Sequence, residues 1–289
     1  MTKLQGVFVP LVTPFLDDKV DFISYQKMID YYIPKGISGL IPLGTTGESP
    51  TVSEQEYEEI IAKTIEYASN RVPVFAGIGG NNTYKTTVQL KLAEKYELDG
   101  ILSVCPYYNR PSQEGIYQHF LRISEATDTK IIVYNIPYRT GRNIDNETIY
   151  RLAELKNIIA LKDSSGDIKQ TTELLLDPPK DFSILTGEDI LFYTTLVLGG
   201  DGGILASSHL NTADFVDVYH AVKSNNHQEA LQKWKTLARF VPMLFEEPNP
   251  APIKYCLTKL GVISSDELRL PLTGITSDLK NRLNHVLDN

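Results

Sequence analysis

Asn157-Ile158-Ile159-Ala160-Leu161-Lys162-Asp163-Ser164-Ser165-Gly166-Asp167 runs four apolar residues directly into a lysine and closes on small polar residues. The run is short, uncharged and bounded by turn formers, so it reads as a buried strand whose carboxyl end opens into a loop. An ammonium on such a strand must either pair or lose its proton. Desolvation lowers a lysine pKa from about 10.4 by as much as ~3–5 units. The neutral amine that results is a nucleophile, and buried lysines of this kind form Schiff bases with carbonyl substrates. Taken alone, the stretch also allows a plain ion pair between Lys162 and Asp163 or another acid at the strand end.

Working outward, similar short apolar runs recur at 6–12, 39–43, 72–78, 100–105, 130–136, 158–163, 182–187 and 202–207, with helical patterns between them. Ser53-Glu54-Gln55-Glu56 has the form of a capping box, and apolar residues then return at helical spacing through Ile60, Ile61 and Ile65. Strict β/α alternation implies a parallel sheet, and eight units in the first 225 residues suit a closed (β/α)8 TIM barrel better than an open doubly wound sheet. Beyond about residue 225 the pattern becomes helical, over 227–245, 251–260 and 275–287, with Glu246-Glu247-Pro248-Asn249-Pro250 as a break. The expected organisation is an α/β barrel over 1–225 that carries the active site, followed by a small C-terminal helical domain over 226–289.

Composition narrows the function. The chain has 289 residues, 42% hydrophobic and 22% charged, with a formal net charge of −8 and no block of Lys/Arg, which argues against a nucleic-acid or anionic-membrane partner. The first residues form no apolar signal segment, and no run approaches the roughly 18 residues of a membrane span, so a cytoplasmic protein is expected. Cys105 and Cys256 stand far apart without a CxxC, and the five histidines show no metal-ligand spacing, so neither a disulfide framework nor a metal centre is expected.

Active sites of barrel folds lie just after the strands, at their carboxyl ends. After the second run comes Gly44-Thr45-Thr46-Gly47-Glu48-Ser49, small and hydroxyl-rich, suited to letting backbone amides approach a carboxylate, or else a tight turn leading to a helix cap. Gly77-Ile78-Gly79-Gly80-Asn81-Asn82 starts like a dinucleotide fingerprint, but Asn82 holds the sixth position, so no nicotinamide cofactor is expected. Gly199-Gly200-Asp201-Gly202-Gly203 lacks the Lys-Ser/Thr of a P-loop and reads more simply as a turn into the last strand, although a phosphate cradle stays open. Pro106-Tyr107-Tyr108-Asn109-Arg110-Pro111 and Tyr134-Asn135-Ile136-Pro137-Tyr138-Arg139-Thr140-Gly141 close the fourth and fifth runs. Their tyrosines are core filler or, with Thr45 near a nucleophile, a proton relay. Arg139 offers a planar fork for a substrate carboxylate, or a surface ion pair.

These strand-end motifs, with Leu161-Lys162-Asp163 and Glu247-Pro248-Asn249-Pro250-Ala251-Pro252-Ile253-Lys254, make the chain resemble the dihydrodipicolinate synthase branch of the pyruvate-dependent class I aldolases over essentially its whole length. The resemblance implies that Lys162 forms an imine with pyruvate, that Tyr134 moves protons, and that Thr45 links Tyr134 to Tyr108, the last entering from a neighbouring subunit of a homotetramer. It further implies that Thr45 and Thr46 hold the pyruvate carboxylate, that Gly187 and Ile204 line the imine, and that Arg139 binds the carboxylate of L-aspartate 4-semialdehyde. No cofactor or metal is needed. The implied reaction yields 4-hydroxy-tetrahydrodipicolinate, at the first committed step of lysine and diaminopimelate synthesis.

Two other readings compete. N-acetylneuraminate lyases and keto-deoxy sugar acid aldolases resemble the chain at Lys162 and Tyr134 but generally lack the arginine of this motif; a non-catalytic regulatory barrel would not need Lys162, Tyr134, Thr45 and Tyr108 together. Members inhibited by lysine bind it at positions matching Ser49, Pro50, Glu54, Tyr57, Asn81, Lys85 and Tyr107, commonly with histidines at the places of Glu54 and Tyr57 and an acid at that of Lys85. Here only Ser49, Asn81 and Tyr107 agree, so insensitivity to lysine is expected.

Overall fold

The computed structural model describes residues 3–288. Each of the eight apolar runs contains a strand: β1 Gly6–Val9, β2 Gly39–Leu40, β3 Phe75–Gly77, β4 Gly100–Val104, β5 Ile131–Asn135, β6 Ile158–Asp163, β7 Ser183–Thr186 and β8 Gly202–Ile204. Helices follow them in alternation, as the spacing predicts. Several strands stop short of their apolar runs at the carboxyl end, because the backbone there already turns: Leu43 takes a φ of 61°, and residues 206–209 wind into a 3-10 turn.

The chain divides into two densely packed units. One comprises residues 3–6 with Val74–Ile204 and holds six of the strands, hydrogen-bonded in the order β8-β7-β6-β5-β4-β3 and all parallel. Its central strands are apolar on both faces, and β5 and β6 are buried along their whole length, as expected of parallel strands covered on both sides. Helices Thr83–Lys95, Gln113–Glu125 and Ile168–Leu176 begin at Asn82, Ser112 and Asp167, whose side chains accept from first-turn amides. Register places Tyr134 beside Lys162 and Lys162 beside Leu185.

The other unit comprises Val7–Pro73 and residues 205–288. Here β1 pairs in parallel with β2, Phe8 opposite Gly39 and Val9 opposite Leu40. The capping box at Ser53 and Glu56 forms at the start of helix Glu54–Ala68 as read from sequence, with Tyr57, Ile60, Ile61, Thr64 and Ala68 buried beneath it. The expected C-terminal helices are present as His227–Phe240, Ala251–Lys259 and Ser277–Leu287. A small hairpin, Phe15–Leu16 against Lys19–Val20, was not foreseen; Asp17 and Asp18 make its turn at φ 52° and 58°, the paired positive values of a tight hairpin.

Two ionic clusters tie the distant segments of this unit together. Lys254 Nζ donates to Glu48 Oε1 at 2.7 Å and to Thr13 O at 2.9 Å, with both charged side chains wholly buried. Burial pushes the Glu48 carboxyl up and the Lys254 ammonium down, and their mutual attraction opposes both shifts. Arg269 donates twice to Glu56, at 2.8 and 2.6 Å, as well as to Asp18, and its guanidinium lies 4.2 Å from the Phe15 ring centroid. Hydrogen bonding to Arg269 holds the Glu56 carboxyl down at about 2.

Removing one member of a fully buried pair leaves the other charge without compensation, at a cost of about 3–5 kcal/mol. We therefore expect Lys254→Met to lower unfolding stability by about that much, read as the denaturant midpoint at unchanged slope, with Glu48→Gln/Lys254→Met recovering part of it. A Lys254→Met protein as stable as the parent would show that the pair is not an essential element of the core.

Candidate active site

Lys162 is the penultimate residue of strand β6, and its side chain points opposite to that of the last residue, Asp163, because successive strand residues alternate faces. The Asp163 carboxylate accepts from the Ser165 amide at 2.9 Å and from Thr171 Oγ1 at 2.6 Å, on the side of the following helix. The simple Lys162–Asp163 pair that the sequence left open is therefore not formed. Lys162 is buried, and no salt bridge to it is found among the described residues. Burial is the largest influence on its amine and lowers its pKa from 10.5 to about 8; the Asp189 carboxylate pulls it up and the Arg139 guanidinium pulls it down. At neutral pH this raises the fraction of neutral, nucleophilic amine by on the order of a few hundredfold over an unperturbed lysine.

Parallel register puts Tyr134 on the strand next to Lys162, and Nζ lies 4.2 Å from the Tyr134 ring centroid. On the other side, Gly187 follows β7 and its amide donates to Asp163 O at 2.7 Å. A larger residue there would displace the lysine side chain: an added Cβ would stand less than 3.0 Å from Lys162 Cε, Lys162 Cγ and Ser164 Oγ. Ile204, the last residue of β8, is buried. Arg139 sits on the short helix Pro137–Thr140, exposed, with its Nε 3.3 Å from the Tyr138 hydroxyl. No acid pairs with it among the described residues, so the surface ion pair is not formed within this chain. Tyr108 follows β4 at a φ of 72° and is 89% exposed, which is unusual for a residue placed in a proton relay.

Thr45 and Thr46 belong to the other unit, in a turn closed by Gly47 N to Gly44 O and Glu48 N to Thr45 O, each at 3.1 Å. Their own amides find no intramolecular acceptor among the described residues, the arrangement that suits an anion. Thr46 is buried, and its Oγ1 accepts from Asn249 Nδ2 at 3.0 Å. Thr13 Oγ1 donates to Gly47 O at 2.7 Å, and Glu48 is anchored by Lys254. A Cβ on Gly47 would collide with Leu43 N and Leu11 O, so that glycine is required by close backbone approach.

Sequence alone does not mark Asp189 or Asn249 as site residues: Asn249 appears there only within a proline-rich motif, and Asp189, two residues beyond Gly187, carries no signal besides its place after a strand.

A family model described as "Dihydrodipicolinate synthetase family" matches residues 3–289. The chain belongs to this family. It is 59% identical to 4-hydroxy-tetrahydrodipicolinate synthase 2 of Clostridium acetobutylicum, over 99% of this chain and 100% of that protein. It is 41% identical to the 4-hydroxy-tetrahydrodipicolinate synthase of Thermotoga neapolitana, over 98% and 97% of the two chains. Among solved structures, dihydrodipicolinate synthase from Thermotoga maritima superimposes with a TM-score of 0.97 at 39% identity, covering 99% of this chain and 98% of that one. The enzyme of Cyanidioschyzon merolae, solved with lysine bound, gives 0.94 at 34% identity over 99% and 97%. The (β/α)8 barrel with C-terminal helices read from the sequence is the fold the chain shares with these family structures.

The role that the family resemblance implies for Lys162, an imine with pyruvate, needs the neutral amine, so labelling at limiting pyruvate should rise with pH through a midpoint near 8 and then level off. Asp189 favours the ammonium, so Asp189→Asn should shift that midpoint downward. Borohydride trapping across a pH series measures both. A midpoint near the ordinary lysine value would show that burial does not activate Lys162.

Proposed function

We propose that the chain is a lyase, a 4-hydroxy-tetrahydrodipicolinate synthase that condenses pyruvate with L-aspartate 4-semialdehyde through a Schiff base on Lys162, in lysine and diaminopimelate synthesis. Family membership over nearly the whole chain supports the reaction, and the buried, activated Lys162 amine beside Tyr134 is the observation that carries the mechanism. In this reading the barrel of 1–225 holds the site and 226–289 forms a helical appendage.

Lys162 adds to the pyruvate ketone, and loss of water leaves a protonated imine, an electron sink that makes the pyruvate methyl acidic. Tyr134 relays protons with Thr45 and Tyr108. The carboxylate rests on the amides and hydroxyls of Thr45 and Thr46, and Gly187 and Ile204 line the imine. The enamine attacks the aldehyde while Arg139 holds the second carboxylate, and the product amine displaces Lys162 as the ring closes. No cofactor takes part. A neuraminate or sugar-acid aldolase is less well supported, since Arg139 stands unpaired within the chain where a second carboxylate would need it.

Tyr108, exposed on its own chain, would complete the relay in a partner copy, and we assign the assembly as a homotetramer in the cytoplasm. No helix among the described residues is long and apolar enough to cross a membrane. Sedimentation velocity reads the assembly, and a monomer of full activity would remove Tyr108 from the relay.

The decisive experiment is borohydride reduction with pyruvate followed by peptide mass spectrometry, where the adduct should fall on Lys162, together with turnover of aspartate semialdehyde. An adduct on any other lysine would defeat the assignment. Charge-assisted bonds to a carboxylate contribute about 1.5–3 kcal/mol each. Arg139→Ala should therefore keep pyruvate trapping near the parent level while kcat/KM for the aldehyde falls by about one to two decades. Unchanged aldehyde kinetics would take Arg139 out of the site.

Insensitivity to L-lysine is part of the same reading. Lys85 is exposed in the first turn of its helix, where lysine-inhibited relatives commonly carry an acid. Like charges at 4 Å repel by about 4 kcal/mol at an effective dielectric of about 20, enough to abolish weak effector binding. Steady-state rates with about millimolar L-lysine should match those without it. A cooperative loss of rate would show a working effector site.

A further inference from the structure

Ser164 lies two residues beyond Lys162, just past the end of β6, and its side chain and that of Lys162 both reach the bare face of Gly187. It is 1% exposed, and its Oγ has no hydrogen-bond partner among the described residues, while its amide is occupied by Asn135 O at 2.8 Å. Burying a hydroxyl without a partner is costly, so an orphan of this kind in an active site points to a ligand group that completes it. Its neighbours say which group. The bare face of Gly187 brings Ser164 Oγ and Lys162 Cε each within 3.0 Å of one common point, the place where a Cβ would stand, so the two atoms are at most twice that distance apart. Nζ is one bond further along the lysine, 4.2 Å from the Tyr134 ring centroid.

We propose that Ser164 is a further catalytic residue, whose hydroxyl donates a hydrogen bond to the C2 oxygen of pyruvate while Lys162 adds to the ketone and while that oxygen departs. The inference rests on the reading of Lys162 as the imine-forming residue. When Nζ bonds to C2, the groups brought next to Cε are those that C2 carries. The methyl cannot accept a hydrogen bond, and the carboxylate is assigned to Thr45 and Thr46. The ketone oxygen is what is left.

The step balances without a proton from Ser164. The Nζ lone pair forms the C–N bond as the C=O π pair moves to oxygen. The C–O bond then breaks, and the nitrogen lone pair closes the C=N bond. Counted from the ammonium, Nζ gives up two hydrogens, and both leave on oxygen as water, so the hydroxyl acts only as a donor that steadies charge on the oxygen.

The test is rapid-quench borohydride trapping of the intact protein with pyruvate alone, beside a thermal melt without ligand. Parent protein should be labelled on Lys162, and if it is not, the Lys162 reading falls and this inference with it. Ser164→Ala should be labelled on the same residue about tenfold more slowly. Its melting temperature should be equal to or above the parent's, because the substitution removes a buried, unsatisfied hydroxyl. Enzyme-catalysed loss of oxygen-18 from C2-labelled pyruvate should slow in step, by a readout that needs neither borohydride nor aldehyde. Trapping and exchange at the parent rate would overturn the proposal. So would a fall in melting temperature that accompanies the slower trapping, since that is the mark of a serine that only packs.

Discussion

An amine held out of water is the constraint on which this site depends. Water stabilises an ammonium far more than a strand interior does, so burial of Lys162 transfers free energy into the readiness of its nitrogen to share a lone pair. Each neighbour has to respect that transfer. Asp163, next in sequence, is turned to the opposite face and bound by Thr171 and the Ser165 amide, which keeps it from quenching the amine. Asp189 restores part of the positive charge and Arg139 removes part, and the balance leaves the amine titrating within reach of neutral pH. Gly187 contributes by having no side chain, since any Cβ would occupy the lysine's own space.

Most of the fold was legible because the strands are apolar on both faces. A run such as Ile131–Asn135 cannot be an exposed strand, and eight such runs separated by helix-length polar segments leave few architectures to choose from. The ends of the strands were less legible. Residues 10–12 and 41–43 are as apolar as the strands before them, yet they belong to loops, and the run after β8 turns into the 3-10 helix of residues 206–209, because burial fixes polarity without fixing backbone direction. The hairpin at Phe15 escaped notice for a related reason: its turn is two aspartates, whose positive φ is held by contacts from Glu267, some 250 residues away.

Lys162 could be singled out from its own stretch, because a charged residue in an apolar run is a local contradiction that needs a reason, although that stretch alone left an ion pair as open as a nucleophile. Thr45, Thr46 and Tyr134 each kept two readings until the family resemblance chose between them, as a threonine or tyrosine contradicts nothing around it. Asp189 and Asn249 act through space across long sequence separations, and Ser164 is distinguished only by a missing partner, a property that no pattern of residues displays.

The turn containing Thr45 and Thr46 has a further property, set by where its supports lie along the chain. Its near side is held by Thr13 against Gly47, but Asn249 reaches Thr46, Lys254 neutralises Glu48, and the Arg269 amide donates to the second Glu48 oxygen at 3.3 Å. A ribosome makes this turn early, when Glu48 has neither its cation nor its amide donor. The contiguous segment Val74–Ile204, which carries Lys162, Tyr134 and Gly187, is synthesised in full before any of those three supports exists. In order of synthesis, the surroundings of Lys162 come first and the hydroxyl turn is completed by the residues made last.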